Sequence, residues 1–384
     1  ASLRTYSTMQ RAPRLDQSHK PKINEQVQGT MINSPKSLPA TALDWWNGGD
    51  RVALAIVVST WGSSPSPAGS MMAIKESGDF VGSVSGGCVE TEIIAEAQAL
   101  IGTRRTKRLN AGVANDRAWQ FCLACVGRLE VFLSPIVDDN ELKVGMNVAT
   151  LGQLVADQAI NRPVVLATNL KDGRSSIIYP DGKALPKPME KIRLLAQEAL
   201  RTDTPKKNPI ADSDLFVVPF NPPLRLIIVG AVHIAQALAR IATLTGYQVI
   251  LIDPRSAFAT HERFPDLEIS RDWPDEAITK LAPDHRTAVV ALTHDPKLDD
   301  AALKSALDSS AFYIGALGSA KNQNARIARL KRSGVSDELI RRIHGPVGLP
   351  IGSKKPEEIA LSIMAEMTAV LRQSDLVADV SSVR

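Results

Sequence analysis

The sequence predicts an α/β protein, with an N-terminal mixed α/β domain followed by a C-terminal Rossmann-like domain on a parallel sheet. Three observations lead there. Beyond Asn221-Pro222-Pro223, apolar runs of strand length alternate with helical periodicity, as parallel strands joined by crossover helices require. Residues 224–229 run straight into Gly230 and a helix-patterned segment, and Asp253 closes the next apolar run. In the first half, Gly82-Ser83-Val84-Ser85-Gly86-Gly87 delivers Cys88 to the start of another helix.

Residues 1–40 are polar and aperiodic, with Arg4, Arg11, Arg14, Lys20 and Lys22 against Asp16 and Glu25, and they read as a flexible extension. The N-terminal domain is expected over 41–205. It opens with an apolar, β-branched strand at 52–58, a turn-rich loop from Thr60 to Pro67, and a strand at 70–74. Val89, Ile93, Ile94, Ala97, Leu100 and Ile101 recur at helical spacing, so a helix is expected from about Cys88. A strand at 128–133, a helix at 141–157, strands at 164–167 and 176–179, and a helix at 189–200 follow. A linker is expected over 206–222 and the second domain over 223–384. In that domain, strands at 224–229, 248–252, 288–292 and 312–314 are interleaved with helices, and Pro356, Glu357 and Glu358 begin the closing one.

Composition excludes several classes. A chain of 384 residues has room for two domains, and 44% hydrophobic with 22% charged residues suits ordinary globular cores. A net charge of +4 and 4% aromatic residues argue against a nucleic-acid partner. Three cysteines form no disulfide framework and suit a reducing, cytoplasmic setting. No run approaches the roughly 20 apolar residues of a membrane span.

Two regions carry chemistry. Small residues before a helix leave its first N–H groups open, and these with the helix dipole favour phosphate and the thiolate of a cysteine placed there. Ser85, Gly86, Gly87 and Cys88 therefore read as a site for a phosphate-bearing, sulfur- or metal-containing ligand; the alternative is a tight strand–helix connection with an inert buried thiol. In the second half, Gly230 begins a phosphate-type turn, His233 lies in it, and Asp253 stands where a ribose-binding acid would. Val232 replaces the second glycine of that pattern and would crowd a pyrophosphate. His294, within Thr293-His294-Asp295, closes another strand, and Gly315, Gly318 and Ser319 lead into a basic helix with Lys321 in its first turn. This order also allows a different reading, an NAD(P)-dependent oxidoreductase.

Together these segments resemble the XdhC/CoxI family, maturation factors for xanthine dehydrogenase-type and carbon monoxide dehydrogenase-type molybdenum hydroxylases. The resemblance runs over about 41–372. It rests on Thr60-Trp61-Gly62-Ser63-Ser64-Pro65, the block from Gly82 through Cys88 to Glu90, Asp253-Pro254-Arg255, Thr293-His294-Asp295, Tyr313-Ile314-Gly315, Gly318-Ser319 and Pro346-Val347-Gly348. It implies an accessory factor rather than an enzyme. Such a protein holds the molybdenum cofactor (molybdopterin) transiently, supports its sulfuration by a cysteine desulfurase, and inserts it into the apo-hydroxylase. Cys88 is then expected on the metal side, with backbone donors of Ser85, Gly86 and Gly87 on phosphate or pterin. Gly62, Ser63, Ser64, Glu90, Cys125 and Arg255 join the cofactor-binding set through the matching motifs, and a homo-oligomer is expected. Cys122 departs from the family pattern and creates a Cys122-Leu123-Ala124-Cys125 pair, weak on its own as a zinc signature.

Overall fold

The computed structural model describes residues 36–62, 66–87, 89–103, 105–111, 128–138, 144–181, 184–185, 190–208 and 214–373. The chain divides into two compact units, Ala1–Pro222 and Pro223–Arg384.

Unit 1 begins with α1 (Leu38–Asn47), β1 (Val52–Trp61), β2 (Met71–Lys75), β3 (Phe80–Gly82), α2 (Glu90–Leu100), β4 (Lys107–Ala111), β5 (Arg128–Val137) and β6 (Met146–Asn147). It continues with α3 (Val148–Ala159), β7 (Val164–Asn169), β8 (Ser175–Ile178), β9 (Ala184–Leu185), α4 (Glu190–Thr202), β10 (Lys206–Lys207) and β11 (Leu215–Phe220). One sheet has the order β3-β2-β1-β5-β4, with β6 beside β5; the other runs β10-β11-β7-β8-β9. Central β1 shows why both faces are apolar. Ala53, Ala55 and Val57 pack with Ile93, Ile94 and Ala97 of α2. The alternate residues face the other way: Leu54 packs with Leu166 of β7, and Ile56 and Val58 with Phe216 of β11. Burying side chains of this size stabilises the unit by about 1.5–3 kcal/mol each.

Several boundaries differ from expectation. Residues 36–40 do not belong to a loose extension, because Ser37 caps α1 by accepting the Ala40 N–H. Strand β1 continues through Thr60 and Trp61, which pair with Leu129 and Arg128 where a loop was expected. Helix α3 starts at Val148, fixed by Asn147, whose side chain accepts the Ala149 N–H at 2.7 Å. Within the expected linker, β11 is an inner strand, paired with β7 on one side and β10 on the other.

Unit 2 contains β12 (Arg225–Val229), α5 (His233–Leu244), β13 (Gln248–Ile252), β14 (Glu268–Ser270), α6 (Pro274–Leu281), β15 (Thr287–Ala291) and α7 (Pro296–Leu307). After these come β16 (Tyr313–Ala316), α8 (Ala320–Arg332), α9 (Asp337–Ile340), β17 (Ile343–His344) and α10 (Pro356–Leu371). Its sheet order is β14-β13-β12-β15-β16-β17, all neighbours parallel. Counted within the unit, that is the doubly wound arrangement whose strand order reverses between its first and fourth strands, β12 and β15. Leu226, Ile228 and Leu251 pack under α5 and α10, while Ile227, Val229 and Val289 pack toward α6 and α7. Parallel strands covered on both faces must be continuously apolar, which is why the sequence reveals them.

Candidate functional site

In unit 1 the serine–glycine turn folds around its own carboxylate. Glu90, the first residue of α2, is only 7% exposed. Its Oε1 accepts the Ser83 hydroxyl at 2.7 Å, the Ser85 N–H at 2.9 Å and the Val84 N–H at 3.3 Å. Its Oε2 accepts the Ser85 hydroxyl, the Gly87 N–H at 2.9 Å and the Val89 N–H at 3.2 Å. The Gly86 N–H goes to Ser83 Oγ at 2.9 Å. Gly86 and Gly87 take φ of +74° and +111°, the left-handed region that lets consecutive N–H groups turn inward. Burial pushes the Glu90 carboxyl up, but hydrogen bonds from Ser85 and Ser83 outweigh it and hold the pKa at about 2. The expectation that Ser85, Gly86 and Gly87 offer N–H groups to phosphate is therefore corrected: those donors are spent on Glu90 and Ser83, groups supplied by the chain itself. Gly62 is exposed just past β1. Cys88, Ser63, Ser64, Cys122 and Cys125 lie outside the described residues.

In unit 2, Asp253 follows β13 and is fully buried. Its carboxylate accepts the Ala231 N–H at 2.8 Å, the Arg255 N–H at 3.0 Å, and the Arg255 guanidinium at 2.9 and 2.7 Å. Burial raises this carboxyl, yet those bonds hold it below the usual carboxylate range. Asp253 thus secures the turn after β12 instead of facing a ribose. Gly230 in that turn has φ of +110°, and a Cβ there would stand 2.6 Å from Thr293 Cγ2. The two turns at the sheet's reversal point are pressed together. His233 is exposed at the first position of α5, behind Val232 as N-cap.

The turn after β15 is held by a second buried acid. Asp299 of α7 accepts the Thr293 hydroxyl at 2.6 Å and N–H at 3.1 Å, and Asp295 caps α7 through the Lys297 N–H at 2.9 Å. His294 between them is exposed with φ of +59°. Asp299 lies 3.7 Å from Arg326 of α8, a guanidinium only 4% exposed. Burial pushes Asp299 up and Arg326 down from their ordinary values. Arg326 also donates to Leu317 O at 2.7 Å, beneath Gly318, and Ser319 caps α8 through the Asn322 N–H. Gly230, Asp253, Arg255, His294, Gly318 and Ser319 thus follow one line along the C-terminal ends of the parallel strands, while Ser85, Gly86, Gly87 and Glu90 form one loop of unit 1. Sequence reasoning missed Asp299, Arg326, His344 and Glu366. Glu366 had a signal: it falls in a helix whose Ile363, Met364 and Met367 are all core residues.

Among the described residues no group of three or more His, Cys, Asp or Glu could hold a metal ion, and no helix is long and apolar enough to cross a membrane. Two family models match the chain: the XdhC and CoxI family over residues 45–111, and the XdhC Rossmann domain over residues 226–367. A Bacillus subtilis protein named as a probable subunit of xanthine dehydrogenase is 28% identical over 333 residues, covering 83% of this chain and 92% of its own. The Escherichia coli molybdenum cofactor insertion chaperone PaoD is 27% identical over 355 residues, 92% of each chain. A Bacillus halodurans crystal structure described as a xanthine dehydrogenase has a TM-score of 0.69 at 24% identity, covering 88% of this chain and 96% of that one, and so shares the fold. With residues 45–111 and 226–367 matched by the family's own models, the chain belongs to the XdhC and CoxI family.

Proposed function

We propose that this chain is an accessory factor that holds the molybdenum cofactor, supports its sulfuration by a cysteine desulfurase, and inserts it into an apo-hydroxylase of the xanthine dehydrogenase family. The observation that carries this reading is the similarity, over 92% of both chains, to a protein named for molybdenum cofactor insertion. The cofactor is cargo here, and the protein works by binding and release.

The residues of unit 1 fit one part of that cargo and not another. A phosphate finds no open donors at Ser85, Gly86 and Gly87, so no contact is derived there. The soft molybdenum–dithiolene end suits a thiolate, and Cys88 is the residue proposed for it. Both chain neighbours of Cys88 donate their N–H groups to Glu90. That bonding ties the backbone of Gly87 and Val89 to one buried carboxylate. In unit 2, His233, His294 and Ser319 are exposed at the ends of the parallel strands, where ligands of such sheets bind. The nicotinamide reading is weakened at its defining residue, because Asp253 uses its carboxylate on Ala231 and Arg255.

The test is the molybdenum and pterin content of the protein purified anaerobically from a cofactor-producing host, beside Cys88→Ser. Near-stoichiometric cofactor in the wild type and less in the variant supports both the function and the residue. A folded wild-type protein carrying neither molybdenum nor pterin overturns the reading.

A further inference from the structure

A second hydrogen-bonded cluster lies at the far edge of the parallel sheet. Glu366, on α10, is 1% exposed. Its Oε2 accepts the Tyr313 hydroxyl and the Gly348 N–H, each at 2.7 Å, and its Oε1 lies 3.0 Å from His344 Nδ1. The His344 ring stacks on Tyr313, with centroids 4.6 Å apart and planes at 22°. The cluster borders the turn that follows β16. Strand register sets His344 beside Gly315. Gly345 approaches the first turn of α8 so closely that a Cβ there would stand 2.3 Å from Gln323 Oε1. Gln323 in turn accepts from the buried Arg326 at 2.6 Å.

The bonding favours one tautomer. Glu366 accepts from Tyr313 and Gly348, and a neutral imidazole that donates to the same carboxylate from Nδ1 carries its lone pair on Nε2. Among the described residues Nε2 meets no hydrogen-bond partner, and the side chain keeps 22% of its exposure. A lone pair mounted on a buried carboxylate repels phosphate oxygens and suits a neutral ring that carries N–H groups.

We propose that His344 contacts the ligand in unit 2, its Nε2 accepting a hydrogen bond from a ring N–H of the pterin, with Glu366 and Tyr313 as positioning residues. The identity of the ring rests on the proposed function; the free acceptor at Nε2 does not. Glu366→Gln is the discriminating variant. Its carboxamide NH2 donates to Nδ1 and transfers the ring proton to Nε2, so the same histidine, still stacked, presents a donor where the wild type presents an acceptor.

The experiment is long-range proton–nitrogen NMR on histidine-labelled full-length protein, with neopterin as the probe. The wild type should show Nε2 unprotonated and shifting on addition of neopterin. Glu366→Gln should show the proton exchanged between the two nitrogens and neopterin bound about tenfold more weakly or worse, since two donors then face each other. Should that variant not fold, His344→Phe keeps the stacked ring without nitrogens and should lose the same affinity. An unprotonated Nδ1 in the wild type, no response of His344 to neopterin, or unchanged affinity in the variants overturns the inference. Molybdenum content separates the two levels: a loaded wild type whose His344 ignores neopterin sinks this inference alone, and an unloaded one sinks the proposed function.

Discussion

Two turns of this molecule solve one problem with different chemistry. Both the Ser83–Val89 loop of unit 1 and the Gly230 turn of unit 2 use a buried carboxylate to satisfy inward-pointing backbone N–H groups. Glu90 is held by neutral partners alone, serine hydroxyls and amides, and no cation pairs with it among the described residues. Asp253 shares its charge with the partly exposed guanidinium of Arg255. A carboxylate held by neutral dipoles depends on the geometry of every donor. One held by an arginine depends chiefly on a single partner, which solvent can also reach. The first arrangement suits a loop that must keep one shape, and the second suits a turn that tolerates adjustment.

The strongest way to break the contrast is Glu90→Ala. It removes the acceptor of the Val84, Ser85 and Gly87 N–H groups and of the Ser83 hydroxyl, and should destabilise unit 1 by about 3–4 kcal/mol. Urea unfolding followed by fluorescence checks this, and a loss under 1 kcal/mol would mean the loop does not rely on its carboxylate. Next in size is acid. The folded Glu90 value of about 2 lies below its ordinary 4.5, so its contribution is complete above pH 4.5 and is lost as pH falls from there toward 2. The expected loss is about 2–3 kcal/mol across that window. The difference in stability between wild type and Glu90→Gln, followed over the same range, should shrink as pH falls; a constant difference would contradict the assignment.

Arg255→Ala should cost about 2 kcal/mol in unit 2, because the fully buried Asp253 keeps only two backbone donors. Arg255→Lys should recover less than half of that, since an ammonium cannot reproduce the two-pronged contact. Recovery to wild-type stability in thermal melts would show that charge alone suffices there. The smallest effect sharpens the comparison furthest. Raising sodium chloride to 1 M should erase only about 0.5 kcal/mol of the Arg255 contribution by screening the exposed guanidinium. The Glu90→Ala difference should not change with salt.

These contrasts also explain what the sequence discloses. Residues 226–229, 249–252 and 288–291 are legible because a parallel strand buried on both faces is apolar along its buried run. Leu215–Phe220 misleads because a lone apolar run beside prolines looks the same at the edge of a linker as within a sheet, and only its pairing with Val164–Asn169 distinguishes them. The motif around Glu90 and the spacing of Asp253 mark both positions as special. Which way each carboxylate faces is decided by the fold: only there do the N–H groups of Val84, Ser85, Gly87 and Val89 converge on one side chain, or Arg255 curl back over Asp253. His344 and Glu366 are 22 positions apart, too far for any periodicity to join them.

The packing of α10 has a consequence for biosynthesis. Ile363, Met364 and Met367 belong to the same apolar cluster as Leu238 of α5 and Leu226 of β12. While the ribosome is still decoding the segment before Pro356, α5 covers that face without α10. Unit 2 therefore cannot reach its native state co-translationally in the order of its strands, and until its closing helix emerges the nascent chain presents an adhesive surface that a holding chaperone would shield.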